Sequence, residues 1–225
     1  MPTARRTPPP SLTTKVQPAQ QRAAETFERI LDAAAKTLTE VGIERLSTNL
    51  VCERAGLSPP ALYRYFPNKY SLLAELGKRL MQRQNDCIGQ WISQEVLAGG
   101  RAAIETALVG LLLDTYQVTR DTEGGVWIMR ALRAVPALQE IRLASHTQVT
   151  RAQARLLAQA LPGAKPAELK LASRIVVELI YATVEMLFDE TLDAKRVAAV
   201  TAGMLASHVE RLVPPSPPQQ SRQRR

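Results

Sequence analysis

The 225-residue chain predicts an all-α fold of about nine helices. Three observations carry that expectation. Apolar residues recur at three- and four-residue spacing through most of residues 24–212, the period of a helix with one buried face. Glycine and proline fall between those runs, where they punctuate helices. No stretch alternates apolar and polar residues between turn signals, so no segment reads as a strand.

Taken in order, residues 24–41 place Phe27, Ile30, Leu31, Ala34, Leu38 and Val41 on one stripe, and Gly42 supplies the stop. Residues 48–55 form a short helix ended by Gly56. The next helix opens on Ser58-Pro59-Pro60. Proline is tolerated in a first turn because those N–H groups have no intrahelical partner. Ser58 is expected to cap this helix through its hydroxyl, with Leu57 stapled against Leu62. Leu62 and Phe66 define its buried stripe, and Pro60, Arg64, Ala61 and Tyr63 fall on the other side. A long helix then runs from Asn68 to about Leu97, broken by Gly99-Gly100. Further helices cover about 101–119, 126–135, 138–161, 167–190 and 194–212.

No apolar run approaches the roughly 20 residues of a membrane-spanning helix. The opening MPTARRTPPPSLTTKVQPAQQR has no apolar core of a secretory signal. Cys52 and Cys87 form neither a disulfide framework nor a zinc spacing, and read as small apolar residues in a reducing compartment. Together these place the chain in the cytoplasm. The formal charge of +8 is uneven: residues 1–22 carry +4, residues 213–225 carry +3, and residues 23–69 are neutral. Both tails are basic, rich in proline and too polar to pack, so each is expected to be disordered. Four regions follow: a disordered basic arm 1–22, a first helical domain 23–69, a second helical domain 70–212, and a disordered basic tail 213–225.

The reading of 23–69 as a DNA-binding domain rests on STNLVCERAGLSPPALYRYFPNKY, residues 47–70. Two short helices joined by a turn of about four residues containing glycine fit a helix-turn-helix, whose second helix enters the major groove. Residues 24–76 resemble the DNA-binding domain of the tetracycline-repressor-like (TetR) family. The resemblance is carried by AGLSPPALYRYFPNKYSLLAEL behind RILDAAAKTLTEVGIERLST. It implies that Thr48 and Tyr65 hold phosphates and that Asn49 and Tyr63 reach bases or adjoining backbone. It also implies that Pro59, Pro60 and Ala61 meet the groove floor and that Lys69 pairs with a phosphate. Pro59 and Ala61 stand where the family often has a hydrogen-bonding side chain, which leaves Arg64, Tyr63 and Asn49 as polar readers. Ser58 completes the DNA-binding set.

The helix over 167–190 is apolar on nearly every side, and the last helix carries small residues at Ala198, Ala202 and Gly203. The pair resembles the helices through which this family forms homodimers. For the remaining helices the resemblance implies a cavity for a small-molecule effector, with Trp91, Tyr116, Trp127 and Tyr181 as lining and Glu178 or Asp114 as polar contacts. His146 and His208 are too separated for a metal site or triad. No phosphate loop, HExxH or nucleophile elbow occurs, so neither enzyme activity nor a cofactor is expected. The expected function is a repressor that binds a palindromic operator as a homodimer and is released by a small molecule. The rival is a DNA-binding architectural or protein-partner module with no ligand cavity.

Overall fold

A computed structural model describes residues 9–15 and 21–212 of the chain. The described residues hold ten α-helices and no strand. They are α1 (Gln21–Arg45), α2 (Thr48–Ala55), α3 (Pro59–Tyr63), α4 (Lys69–Trp91), α5 (Gln94–Ala98) and α6 (Gly100–Asp121). There follow α7 (Gly125–Ala134), a 3₁₀ turn over Pro136–Leu138, α8 (Gln139–Ala160), α9 (Pro166–Asp189) and α10 (Ala194–Arg211). The count exceeds the expected nine because the helix expected over 68–97 ends at Trp91. Ser93 there caps a new short helix by accepting from the Val96 amide. Gly42 adopts φ 74° and interrupts α1 where the stop was expected, with one more turn to Arg45.

The apolar stripe of α1 does what its spacing predicts. Ile30, Leu38, Val51, Leu62 and Phe66 have no measurable exposure, and the Phe27 and Phe66 rings pack at 4.9 Å. This core is not sealed at residue 69. Leu72, Leu73, Leu76 and Leu80 of α4 join it, and Ile128 and Leu132 of α7 extend it from the other side. Arg79 of α4 grips Glu28 of α1 through two bonds of 2.6 and 2.7 Å. The Arg79 hydrogen bond holds the Glu28 carboxyl below its ordinary pKa. Apolar packing and this ion pair together join α4 to α1.

A second core lies between α4, α6, α9 and α10, with Cys87, Leu111, Leu112, Val184 and Ala202 inside it. Burial raises the pKa of the Cys87 and Cys52 thiols. Ala198, Ala202 and Ala206 are fully buried within this core, and α10 packs most extensively on α6 of the same chain. The small residues of α10, read from sequence as an intermolecular seam, thus serve a contact inside the chain. Gly203 likewise faces Glu105 of α6. The outer face of α10 carries Val200 and Met204, 59% and 69% exposed. On α9, Val176 and Ile180 are buried while Leu171, Ile175 and Leu179 are exposed. All-round apolarity of α9 therefore gives one buried face and one uncovered face.

Of the N-terminal arm, residues 9–15 are seated on the body rather than free. Leu12 packs on the first core, the Lys15 amide donates to the Tyr65 carbonyl at 2.9 Å, and Asn68 Nδ2 donates to the Ser11 carbonyl at 3.1 Å. The rest of the arm before α1, and the basic tail 213–225, lie outside the described residues.

Candidate nucleic-acid interface and the helical interior behind it

Two caps and a glycine set the angle between α2 and α3. Ser47 starts α2 by accepting from the Leu50 amide at 3.3 Å. Gly56 ends it at φ 61°, ψ 41°, and the Leu57 amide closes back on the Cys52 carbonyl at 3.0 Å. That left-handed step is cheap only for glycine. The expected hydroxyl cap on α3 is absent: Ser58 makes no side-chain cap bond. The prolines explain it. With no N–H at Pro59 or Pro60, the first free amide is that of Ala61, and it bonds the Ser58 carbonyl at 3.0 Å. The Ser58 hydroxyl stays exposed at the tip, and α3 lasts only five residues.

Exposed together on this end are Asn49, Ser58, Pro59, Pro60, Tyr63 and Arg64, with Thr48 and Ala61 half-buried beside them. The Thr48 hydroxyl and the Tyr63 hydroxyl lie 3.0 Å apart, so one hydrogen bond ties the start of α2 to the end of α3. Apolar Pro60 and Ala61 suit contact with thymine methyls, and Arg64 suits a guanine edge or a phosphate. Two residues sit differently from the expectation. Tyr65 is 5% exposed, its ring edge-on to Phe27 at 6.1 Å, so it mainly builds the core. Lys69 directs its Nζ to the carbonyls of Leu46, Ile43 and Glu44 at 3.2, 3.4 and 3.5 Å. It closes the C-terminal end of α1, where cations are favoured.

The residues expected to line an effector cavity do not converge. Trp91 lies flat on α6 where Gly110 has no side chain; a Cβ there would come within 2.4 Å of the ring. Its Nε1 donates to Asp114 at 2.6 Å, so both groups are satisfied by each other. Tyr116 pairs with Phe188 at 4.7 Å, and Trp127 packs against Gly42 and under Arg130. Glu178 and Tyr181 also meet, around a third residue, His146. His146 is 1% exposed, stacks on Tyr181 at 4.4 Å, and places Nδ1 2.9 Å from Glu178 Oε1. Arg174 also pairs with Glu178, and Arg142 Nη1 stands 3.6 Å from it. Burial lowers the His146 pKa against the raising effect of Glu178. Burial raises that of Glu178, but the His146 bond and the two arginines outweigh it and leave the carboxyl below its ordinary value. Burial also raises the Tyr181 hydroxyl, which donates to Asn85 Oδ1 at 3.0 Å. The interior is otherwise nearly filled. One void of about 20 Å³ lies against His146 and Tyr181, another of about 10 Å³ against Gln84 and Gln153. A hollow of about 1000 Å³ is an open trough along the outer face of α8 and touches none of these residues.

Residues 30–76 match the family model described as "Bacterial regulatory proteins, tetR family". An uncharacterized HTH-type transcriptional regulator of Mycobacterium tuberculosis is 33% identical over 89 residues, covering 40% of this chain and 45% of that protein. The chain thus spans less than half the length of that relative. The HTH-type transcriptional repressor KstR of Rhodococcus jostii is 30% identical over 158 residues, 70% of this chain and 69% of KstR. The chain belongs to the TetR family. It is accordingly a TetR-family transcriptional regulator with a DNA-binding helix-turn-helix. The same fold occurs in the SmeT–triclosan complex, with a TM-score of 0.60, 23% identity, and coverage of 82% of this chain and 95% of that one.

Within this TetR protein the sequence missed several neighbours of the interface. Lys15 and Arg45 are exposed close to α3 and α2, and Leu50 is exposed beside Asn49. Leu12, one apolar residue in a polar arm, was the signal that the arm docks. For the interior no such signal exists, because His146 and Glu178 lie 32 residues apart and only the packing of α8 on α9 joins them. Among the described residues no group of His, Cys, Asp and Glu could hold a metal ion, and no helix is long and apolar enough to cross a membrane.

Proposed function

We propose that this regulator is a cytoplasmic homodimeric repressor that binds a palindromic operator through α3 and is released by a small molecule. The observation that carries the reading is a pairing of two uncovered surfaces. One is the polar end around Asn49, Tyr63 and Arg64; the other is the apolar face of Leu171, Ile175, Leu179, Val200 and Met204 on α9 and α10. An apolar patch of this kind is a self-association surface in a soluble protein. A two-fold dimer built on it carries two copies of α3 to half-sites related by the same symmetry. The relative KstR is a transcriptional repressor, which supports the sign of regulation, and the triclosan complex of SmeT supports a small-molecule effector. In this reading 23–69 form the DNA-binding domain and 70–212 the effector and dimerisation domain, with α4 as the shared lever. The basic segments 1–22 and 213–225 flank them.

A second reading has one observation in its favour: the nearly filled interior suits a DNA-binding module with no ligand cavity. Against it stand buried nitrogens of Arg142 and His146 that lack hydrogen-bond partners, which a purely structural core rarely retains. Selection of bound fragments from a random DNA pool by the purified full chain tests the main reading. A common inverted repeat is expected. Fragments sharing no motif, or a single unrepeated half-site, would overturn it.

A further inference from the structure

The void between α4, α7, α8 and α9 joins two features that the DNA-binding function does not use. Its walls are apolar at Leu80, Met81, Met129 and Leu132. Its polar lining is Gln84, Arg133, Arg142, His146, Tyr181 and Glu185; of these, Arg142 and His146, one turn apart on α8, each hold a buried nitrogen, Nε and Nε2 respectively, without a partner. Their hydrogen-bonding characters are opposite. An arginine Nε–H only donates. The Glu178 carboxylate only accepts, so at 2.9 Å it takes the proton on His146 Nδ1. In the neutral imidazole this leaves Nε2 as a bare acceptor. A hydroxyl group matches both, accepting from Arg142 and donating to His146. A carbonyl matches only the first.

At about 20 Å³ the void accommodates a group the size of one hydroxyl and no more. The body of a larger molecule has a place next to it. A groove of about 380 Å³ runs between α4 and α8, within the size range of small-molecule sites. Met81 lines both groove and void, and the Asn85 side chain bridges them, donating to Ser145 Oγ at 2.9 Å and accepting from Tyr181. Met81 and the Tyr181–Asn85–Ser145 hydrogen bonds are therefore the structure that stands between the two spaces. Leu12 and Thr13 of the docked arm line the groove's other end, so an occupant touches the segment that is hydrogen-bonded to Tyr65 at the base of α3.

We infer that the effector is a small, largely apolar alcohol or phenol whose hydroxyl is held between Arg142 and His146, with its body in the α4–α8 groove. This rests on the effector-released reading proposed above and names the ligand class for it. The probes are 4-tert-butylcyclohexanol and its ketone, 4-tert-butylcyclohexanone, titrated calorimetrically into the full-length protein. The alcohol is expected to bind about tenfold or more tighter than the ketone, as loss of one buried hydrogen bond implies. His146→Phe should bring the two within about twofold, and Arg142→Met should weaken both. His146→Leu, likewise without a hydrogen-bonding side chain, serves if the phenylalanine variant fails to fold by circular dichroism. Equal binding of the pair, preference for the ketone, an alcohol preference that survives both His146 variants, or no alcohol binding at millimolar concentration overturns the inference. Gel shift on the selected DNA, run without probe, keeps the two levels apart. Intact DNA binding beside a failed titration removes only the ligand class, whereas absent DNA binding removes the regulator reading itself.

Discussion

Replacing Lys69 by methionine separates a structural lysine from a phosphate-binding one. The methionine keeps most of the aliphatic stem and removes the ammonium. Three carbonyls at the end of α1 then lose their donor, at 3.2, 3.4 and 3.5 Å. A hydrogen bond to a charged group contributes about 1.5–3 kcal/mol when well formed. These distances are long and the side chain is half-buried, so water replaces part of each bond. A charge at a helix C-terminus adds about 0.3–1 kcal/mol. The expected loss is therefore near the low end, about 1 kcal/mol, or roughly 2–4 °C in Tm for a chain of this size. Urea titration of wild type and variant at one fixed protein concentration reads it, since a dimer's stability depends on concentration. On selected DNA, the slope of log affinity against log salt should change by much less than the ~0.9 that one lost phosphate contact gives. Unchanged stability together with a slope reduced by about 0.9 would refute the clamp and return Lys69 to the phosphate set.

Phe66→Ala should be far more damaging, about 3–5 kcal/mol, because the ring is fully buried against Phe27 and leaves a cavity in the first core; thermal unfolding measures it. Arg64→Ala should weaken binding by about 1–3 kcal/mol on the preferred site and relax one base pair per half-site, whereas a uniform loss across sequences in gel shift makes Arg64 a phosphate contact only. Ile175→Glu combined with Met204→Glu should yield folded monomers by sedimentation, since both side chains are exposed in the single chain; an unchanged dimer moves the interface elsewhere. His146 should make stability fall on acidification from about pH 6.5 downward. Its folded pKa is depressed below that of a free histidine, chiefly by burial, so the unfolded chain binds more protons in that window and stability returns as pH rises through it. Glu178, Arg142, Arg174, Glu185, Arg133 and Tyr181 surround the ring, and only the increment that His146→Gln removes from the pH profile belongs to it.

How much of this was legible beforehand follows from whether the determining contact is local. The α1 stripe, the Gly56 turn and the proline start of α3 are set by neighbours in sequence, and spacing found them. The Ser58 cap is lost for a local reason too: the two prolines leave only the Ala61 amide to bond, and it takes the Ser58 carbonyl instead of the hydroxyl. Tertiary contacts account for the other misses. Small residues on α10 announce a close helix approach without naming the partner, and that partner is α6. Lys69 stands at a helix start, a fair place for a phosphate, yet the end of α1 lies within its reach. Trp91 and Asp114 were both suspected of ligand contact, and each instead satisfies the other. His146 was discounted for its distance from other histidines, although its partner is a carboxylate on the facing helix.

Sedimentation equilibrium of the full-length protein, free and bound to the selected fragment, tests the central claim most directly. The account predicts a dimer at micromolar concentration without DNA, persisting in high salt because apolar burial is not screened. It predicts two chains on a fragment carrying one inverted repeat, with half-site centres a whole number of helical turns apart. A salt-insensitive monomer in free solution, with one chain bound per fragment and no internal symmetry in the site, would contradict it.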